Sequence, residues 1–375
     1  SADYLGVDPT RRSLTGTGGY VKVGRKGNAK WNFSETFTWS SPGFDLNDMG
    51  YMKETDYLMN ETEIMYRQTD IWKIFRYNAF TLSQKNMWNY GGTPFSNNAS
   101  LRWQSMTMNR YEWDVKETFA WNWLDSRLLR GGPDVRFGSY FLTSAKFNTD
   151  KAKRMMFMLK YEGDHNFEGN RFNTISPSLT FRLGNHVYLS GQLDYAWNTD
   201  EMQYVATTSP LSSSSLAPYY YVMGHMDQKT YGLTLKLQVN VTPDISIQFY
   251  GAPFTSIAKY DDFKLAADTK SHTFENRFQR IDPDQLTYAD GVYTIGEGAG
   301  QMPFRNPDFR FNEFRSNLVA RWEYLPGSTL YFVWEHRMSN RDNWYSSGWG
   351  SNLDRMWGLP ATNTFMIKMN YWFNL

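Results

Sequence analysis

The chain has no cysteine among its 375 residues. A protein exposed to an oxidising compartment can avoid mispairing that way, and a cytosolic chain can equally lack the residue, so the absence permits both settings. Long apolar runs are missing as well. The longest purely apolar stretch is Met155–Leu159, far short of the roughly 20 residues that a membrane-spanning helix needs. Nor is there an excess of charge: 39 Lys+Arg against 38 Asp+Glu leave a formal net charge of +1, which gives no footprint for nucleic acid. The opening Ser1-Ala2-Asp3-Tyr4 lacks the basic and apolar runs of a secretory leader, so the sequence reads as a mature or truncated form. Motifs for chemistry are scarce too. The five histidines (His165, His186, His225, His272 and His336) show no H-E-x-x-H spacing, and no G-x-S-x-G elbow occurs. His165 as a loop metal ligand has no second ligand beside it. The expectation is no cofactor, no metal and no catalytic residue: not an enzyme.

What the sequence does hold is aromatic side chains, at 18% of residues, with 15 Trp, 25 Tyr and 26 Phe. Its mean hydropathy of −0.61 is that of a soluble chain. Soluble domains rarely need so many rings, whereas transmembrane β-barrels use them as girdles at both interfaces. If this chain spans a membrane it does so as a closed sheet, because only helices and barrels satisfy every backbone group in lipid.

Period-2 alternation supports that reading. Between Thr230 and Phe254, Tyr231, Leu233, Leu235, Leu237, Val239 and Val241 share one face. Gly232, Thr234, Lys236, Gln238 and Asn240 take the other, and the chain turns at Thr242-Pro243-Asp244. A second hairpin turns at Leu325–Ser328. Leu318, Ala320, Trp322 and Tyr324 lead in, Leu330, Phe332 and Trp334 lead out, and Asn317, Arg321, Glu323, Glu335 and Arg337 lie opposite. A third turns at Gly184-Asn185, and weaker ones near Gly27-Asn28, Thr69-Asp70, Arg110-Tyr111 and Thr149-Asp150. The last strand places Phe365, Ile367, Met369, Tyr371, Phe373 and Leu375 opposite Met366, Lys368, Asn370 and Trp372. It looks like the terminal signal of outer-membrane barrels, though Leu375 stands last where Phe or Trp is usual.

Seven tight turns and the final strand predict fifteen strands. Long stretches separate the hairpins: 41–54, 84–97, 125–134, 163–172, 198–220, 257–311 and 339–360. Short turns at one end and long loops at the other is the asymmetry of outer-membrane barrels, with the long loops extracellular. The expected fold is thus all-β, an antiparallel transmembrane β-barrel domain over residues 1–375. Bacterial single-chain barrels have even strand counts. The odd count therefore predicts that this is the C-terminal part of a larger barrel with upstream strands outside the sequence.

Six segments spread along the chain, Asp3–Pro9, Ser41–Gly50, Arg127–Pro133, Asp227–Thr230, Phe314–Leu318 and Pro326–Leu330, carry a resemblance. In shared order they resemble a family of Bacteroidota outer-membrane β-barrel proteins of unknown function. Its full-length members carry an N-terminal domain similar to carbohydrate-binding module family 9. The resemblance implies an outer-membrane location, a mid-barrel origin for Asp3–Pro9 and an upstream binding-type domain. It supplies no catalytic residues.

Candidate wall or solute contacts are the polar-face residues Lys236, Gln238, Arg321, Glu335 and Lys368, with Glu335 and Lys368 placed at similar height on adjacent strands. Such charge ladders usually support the wall of a wide barrel. Leu233, Leu235, Leu237, Val239, Trp322, Phe332, Trp334, Phe365 and Ile367 are expected to face lipid. Glu35 and Glu117 depart from the pattern. Glu35 is in line with Trp31, Phe33, Phe37 and Trp39, and Glu117 with Val115, Phe119, Trp121 and Trp123. Three readings stay open. The aromatic face turns inward onto sugars, with Glu35 and one of Glu61 or Glu63 as hydroxyl partners. The outer surface meets another protein there. Or each Glu sits near the periplasmic interface, where the penalty is small. Residues 257–311 form a 55-residue stretch whose Asp261, Asp262, Asp268, Asp282, Asp284 and Asp290 could hold a cation or a constriction, though a solvated acidic loop is the simpler reading. Ser212–Ser215 reads as a loop tip before Tyr219–Tyr221.

Two functional classes follow. One is a channel or receptor for a solute, carbohydrate among them. The other is a structural or accessory barrel subunit of an outer-membrane complex. Outer-membrane lipid and lipopolysaccharide, and other outer-membrane proteins, are the implied partners.

Overall fold

The computed structural model describes residues 10, 12–45, 52, 54–121, 123–211, 218–343 and 348–373. The resemblance segment Asp3–Pro9, half of Ser41–Gly50 and the loop tip Ser212–Ser215 lie outside them. Fifteen strands form one antiparallel meander in chain order. They are β1 Gly18–Arg25, β2 Trp31–Ser40, β3 Tyr57–Gln68, β4 Phe75–Trp88, β5 Pro94–Thr107 and β6 Glu112–Trp121. Next come β7 Tyr140–Asn148, β8 Met155–Asn166, β9 Arg171–Leu183, β10 Val187–Thr208 and β11 Tyr220–Asn240. The last are β12 Ile245–Ala266, β13 Phe309–Leu325, β14 Ser328–Asp342 and β15 Ala361–Asn370. A short segment, Phe278–Arg280, adds to the edge of β12 and makes the sheet 16-stranded. The sheet does not close: β1 and β15 each pair on one side alone.

All seven tight turns fall between the predicted strands, at the junctions β1–β2, β3–β4, β5–β6, β7–β8, β9–β10, β11–β12 and β13–β14. Their chemistry explains the reversals. Gly27, Gly184 and Gly327 have φ of 139°, 64° and 81°, and Arg110 accepts 60° in the turn after β5. Thr242 receives the backbone N–H groups of Asp244 and Ile245 on its hydroxyl. The long connections all lie at the opposite end.

Register sorts the side chains into two faces. Leu189, Leu237, Phe249, Leu318, Trp334 and Phe365 follow one another strand to strand across β10–β15. Leu233, Leu235, Val239, Trp322, Phe332 and Ile367 share that face. No second sheet covers it among the described residues, so Leu101, Leu82 and Phe33 stand more than half exposed. The opposite face is polar and more buried, with Ser34, Ser100, Thr118, Ser176 and Thr180 tucked between larger neighbours. The usual arrangement of a water-soluble sheet is inverted.

Three corrections concern the long connections. Residues 198–220 and 257–311 are not loops throughout. β10, β11 and β12 run on for 22, 21 and 22 residues, about 70 Å each at ~3.3 Å per residue. Leu286–Ala289, Val292–Ile295 and Met302–Arg305 then form a three-stranded sheet. Two apolar clusters hold these extensions together. Leu129, Val135, Met202, Met223 and Phe278 make one, and Val222, Phe263, Leu265, Ile295 and Phe304 the other. Within 339–360 lies a helix, α1, Trp349–Trp357. Asn352 donates to the Gly348 carbonyl at its start, and the backbone leaves the helix at Gly358. Buried Asn352 and Met356 seat α1 over the loop end of β12–β14, where Trp357 meets the Phe314 ring at 4.8 Å.

Candidate functional site

The polar face carries the convergent chemistry. Arg102 on β5 forks onto Asp114 of β6 at 2.5 and 2.8 Å, and Gln104 joins them at 3.1 Å. Glu313 on β13 receives Arg315 at 2.8 Å and Arg337 of β14 at 3.0 Å. Arg321 pairs with Glu323 at 2.5 Å. Ser176, Gln192 and Asp194 form a further knot across β9 and β10. These pairs are part-exposed and screened by water, so they add little to stability. They set the shape and polarity of the wall more than its stability.

Lys236 and Gln238 do meet on this face. With Tyr188, Gln248, Tyr250 and Asn317 they border a hollow of about 380 Å³ near the turn end. Glu61 stands opposite Lys85 and Glu63 opposite Ser83. Glu335 and Lys368 are not brought level. Glu335 faces Thr364 while Lys368 faces Tyr331, four positions along β14. Counting from the turns missed the stagger between β14 and β15. Glu35 is a second correction. It pairs in register with Thr62, which puts it on the face opposite Glu61 and Glu63, so no site combines them. The six aspartates of 257–311 do not converge either. Asp261 and Asp262 lie within β12, and no cluster of three or more metal-ligating His, Asp or Glu exists among the described residues.

Two adjoining cavities lie at the loop end of the polar face, beneath a small hairpin of Trp123–Asp125 paired with Val135–Phe137. One cavity of about 580 Å³ runs between this hairpin and Lys85, Met87, Ser96 and Asn98. A second, of about 510 Å³, shares Trp123, Asp125 and Asn98 and continues past Tyr140, Asp164 and Asn198 to Asp200. Trp123 meets Tyr140 edge-on at 5.7 Å. Burial pushes the Asp200 carboxyl above the ordinary carboxylate range. Rings beside amides and carboxylates give a lining that can both stack on and hydrogen-bond a polar organic solute.

Sequence reasoning missed what holds the hairpin down. Arg277, 1% exposed, donates twice to Glu168, at 2.7 and 3.0 Å. The same guanidinium reaches the carbonyls of Arg136 and Ser271 at 2.7 and 2.8 Å. Thr269 donates to the Asp134 carbonyl at 2.7 Å, Lys270 pairs with Asp134 at 3.0 Å, and Gly138 donates its N–H to Glu168 at 2.9 Å. Three connections, β6–β7, β8–β9 and β12–β13, are thereby fastened to one another. The partners lie 109 residues apart, beyond the reach of any local pattern.

These features define an all-β protein built on one large open antiparallel sheet with a polar face partly roofed by its own loops. The chain belongs to the family described as a domain of unknown function, DUF5916, whose match covers residues 7–375. No curated protein and no solved structure matches it.

Proposed function

We propose that the sheet is the greater part of a bacterial outer-membrane β-barrel that passes or captures a polar solute along its polar face. The observation that carries this is the inversion of the two faces: exposed Leu, Phe and Trp on one, buried Ser, Thr and Asn on the other. Water penalises such a surface, whereas acyl chains solvate it. Aromatic spacing supports the same reading. Trp31 and Trp39 on β2, and Trp113 and Trp121 on β6, are eight residues apart, about 26 Å along a strand. That suits the roughly 25 Å apolar band between aromatic girdles once tilt is included. In lipid the free edges of β1 and β15 need partners, each other's or those of further strands. The loop end, with its cavities and clasped hairpin, is then the extracellular mouth. Saccharides are favoured as solute by the ring-and-amide lining and by the resemblance to barrels that carry a carbohydrate-binding type of domain. The work is passage rather than catalysis.

The test is conductance of the purified full-length protein in planar bilayers. Stable steps that shrink when neutral oligosaccharides are added are expected. A silent bilayer, with a lumen that stays closed to ions, would favour the accessory-subunit reading. The specific observation behind that alternative is a polar row on the apolar face.

A further inference from the structure

The two halves of the apolar face differ. Across β10–β15 the row through Leu189, Leu237, Phe249, Leu318, Trp334 and Phe365 is unbroken. Across β2–β4 the aligned residues are Glu35, Thr62 and Gln84, and the next row holds Asn60 and Asn86. Farther along, Glu117 of β6 stands beside Thr143 of β7. Each of these polar positions sits midway between large apolar residues of its own strand. Glu35 lies four residues from Trp31 and from Trp39, Gln84 four from Phe80 and Trp88, and Glu117 four from Trp113 and Trp121. Four residues span about 13 Å. The carboxylates therefore occupy the centre of the apolar band, not its periplasmic margin.

Their own strands answer them only in part. Glu35 accepts from the Asn60 amide and from the Thr62 hydroxyl at 2.6 Å, and Glu117 accepts from the Thr143 hydroxyl at 2.7 Å. A carboxylate offers about four acceptor positions. No ion pair to either glutamate occurs among the described residues, although cations on the other face are paired repeatedly. Acyl chains have no donor to give. The apolar face also carries Lys229 on β11, in the register row of Glu117, and His336 on β14, whose Nδ1 lies 2.9 Å from Asn363 Oδ1; both stand outside β2–β7. A two-fold contact through β2–β7 would bring neither Lys229 nor His336 to Glu35 or Glu117, so a second copy of this chain is a poor complement.

We infer that the apolar face of β2–β7 is an intramembrane docking surface for a different membrane-spanning protein that presents arginine or lysine to Glu35 and Glu117. The inference rests on the membrane-barrel reading. It does not depend on whether the lumen conducts. A buried, desolvated pair of this kind is one that breaks strongly when either partner is lost.

The experiment is photocrosslinking in native membranes of cells making the full-length protein. A photoreactive residue replaces either Gln84, inside the polar row, or Leu235, in the unbroken half. From Gln84 a single protein adduct is expected, with an added mass that is not that of a second copy. From Leu235, lipid adducts alone are expected. Glu35→Gln combined with Glu117→Gln keeps size and hydrogen bonding but removes charge, and should lower the Gln84 protein adduct at least tenfold. Its heat-modifiable mobility on a gel should match wild type, showing that it still folds. Lipid adducts alone at Gln84, an adduct of two copies, equal protein adducts at both positions, or an adduct that persists in the Gln pair would each overturn the inference. Absence of lipid adducts at Leu235, or release of the chain from membranes without detergent, would overturn the membrane reading itself.

Discussion

Leu235→Arg is expected to destabilise the membrane-inserted protein by about 2–4 kcal/mol, the cost of a cationic side chain facing lipid near the midplane. Leu235 lies on β11 opposite Gly191 of β10 and Gly251 of β12. A Cβ on Gly191 would come within 3.6 Å of the Leu235 methyl, so the leucine spreads over the space its small neighbour leaves. Arginine there cannot reach the polar face through the sheet, and a long snorkel toward an interface would uncover both glycines. Thr234→Arg, one residue earlier, supplies the control. It points to the face that already holds Lys236, and its effect should be within about 0.5 kcal/mol, that of an ordinary surface change. Urea-dependent folding of the full-length protein into vesicles measures both. Equal losses for the two variants would remove the assignment of faces on which the membrane reading depends.

The second large effect concerns the clasp. Arg277→Ala leaves Glu168, the Arg136 carbonyl and the Ser271 carbonyl without their shared donor. Breaking one partner of a buried ion pair costs about 3–5 kcal/mol. Because the clasp joins connections and not strands, the loss should stay local. Amide exchange should quicken across residues 125–137 and 267–280 while β11 and β12 keep their protection. For a conducting barrel, release of the hairpin should also raise single-channel conductance, since the roof over the cavities would lift. Unchanged exchange in 125–137 would show that Leu129 and Val135, packed against Met202 and Met223, hold the hairpin without the guanidinium.

The strands and turns of the sheet were legible because both signals are local. Leu233 to Val239 alternates without error, and Gly27, Gly184 and Gly327 occupy turn positions with positive φ. The outer ends of β10–β12 were illegible for an equally physical reason. Register shifts between Asp200 and Gln203, between Tyr204 and Ala206 and between Met223 and His225 break the alternation. A period-2 search stops where the bulge begins. The mistaken grouping of Glu35 with Glu61 and Glu63 arose across the long β2–β3 connection. A connection of that length does not fix which parity of the next strand faces which side. The stagger that separates Glu335 from Lys368 is a property of hydrogen-bond register, absent from a count of residues. Arg277 and Glu168 needed the folded loops before anything linked them.

The unequal strand lengths make the rim of the sheet lopsided. β10–β12 stand more than twice as long as β1, which has eight residues, so one side is a tower and the other a low sill. A large body descending from the loop end strikes the tower first. In the proposed barrel, small molecules, and flexible polymers threading one end at a time, would gain entry over the sill, so admission would depend on the shape of the visitor before any chemical contact selects it.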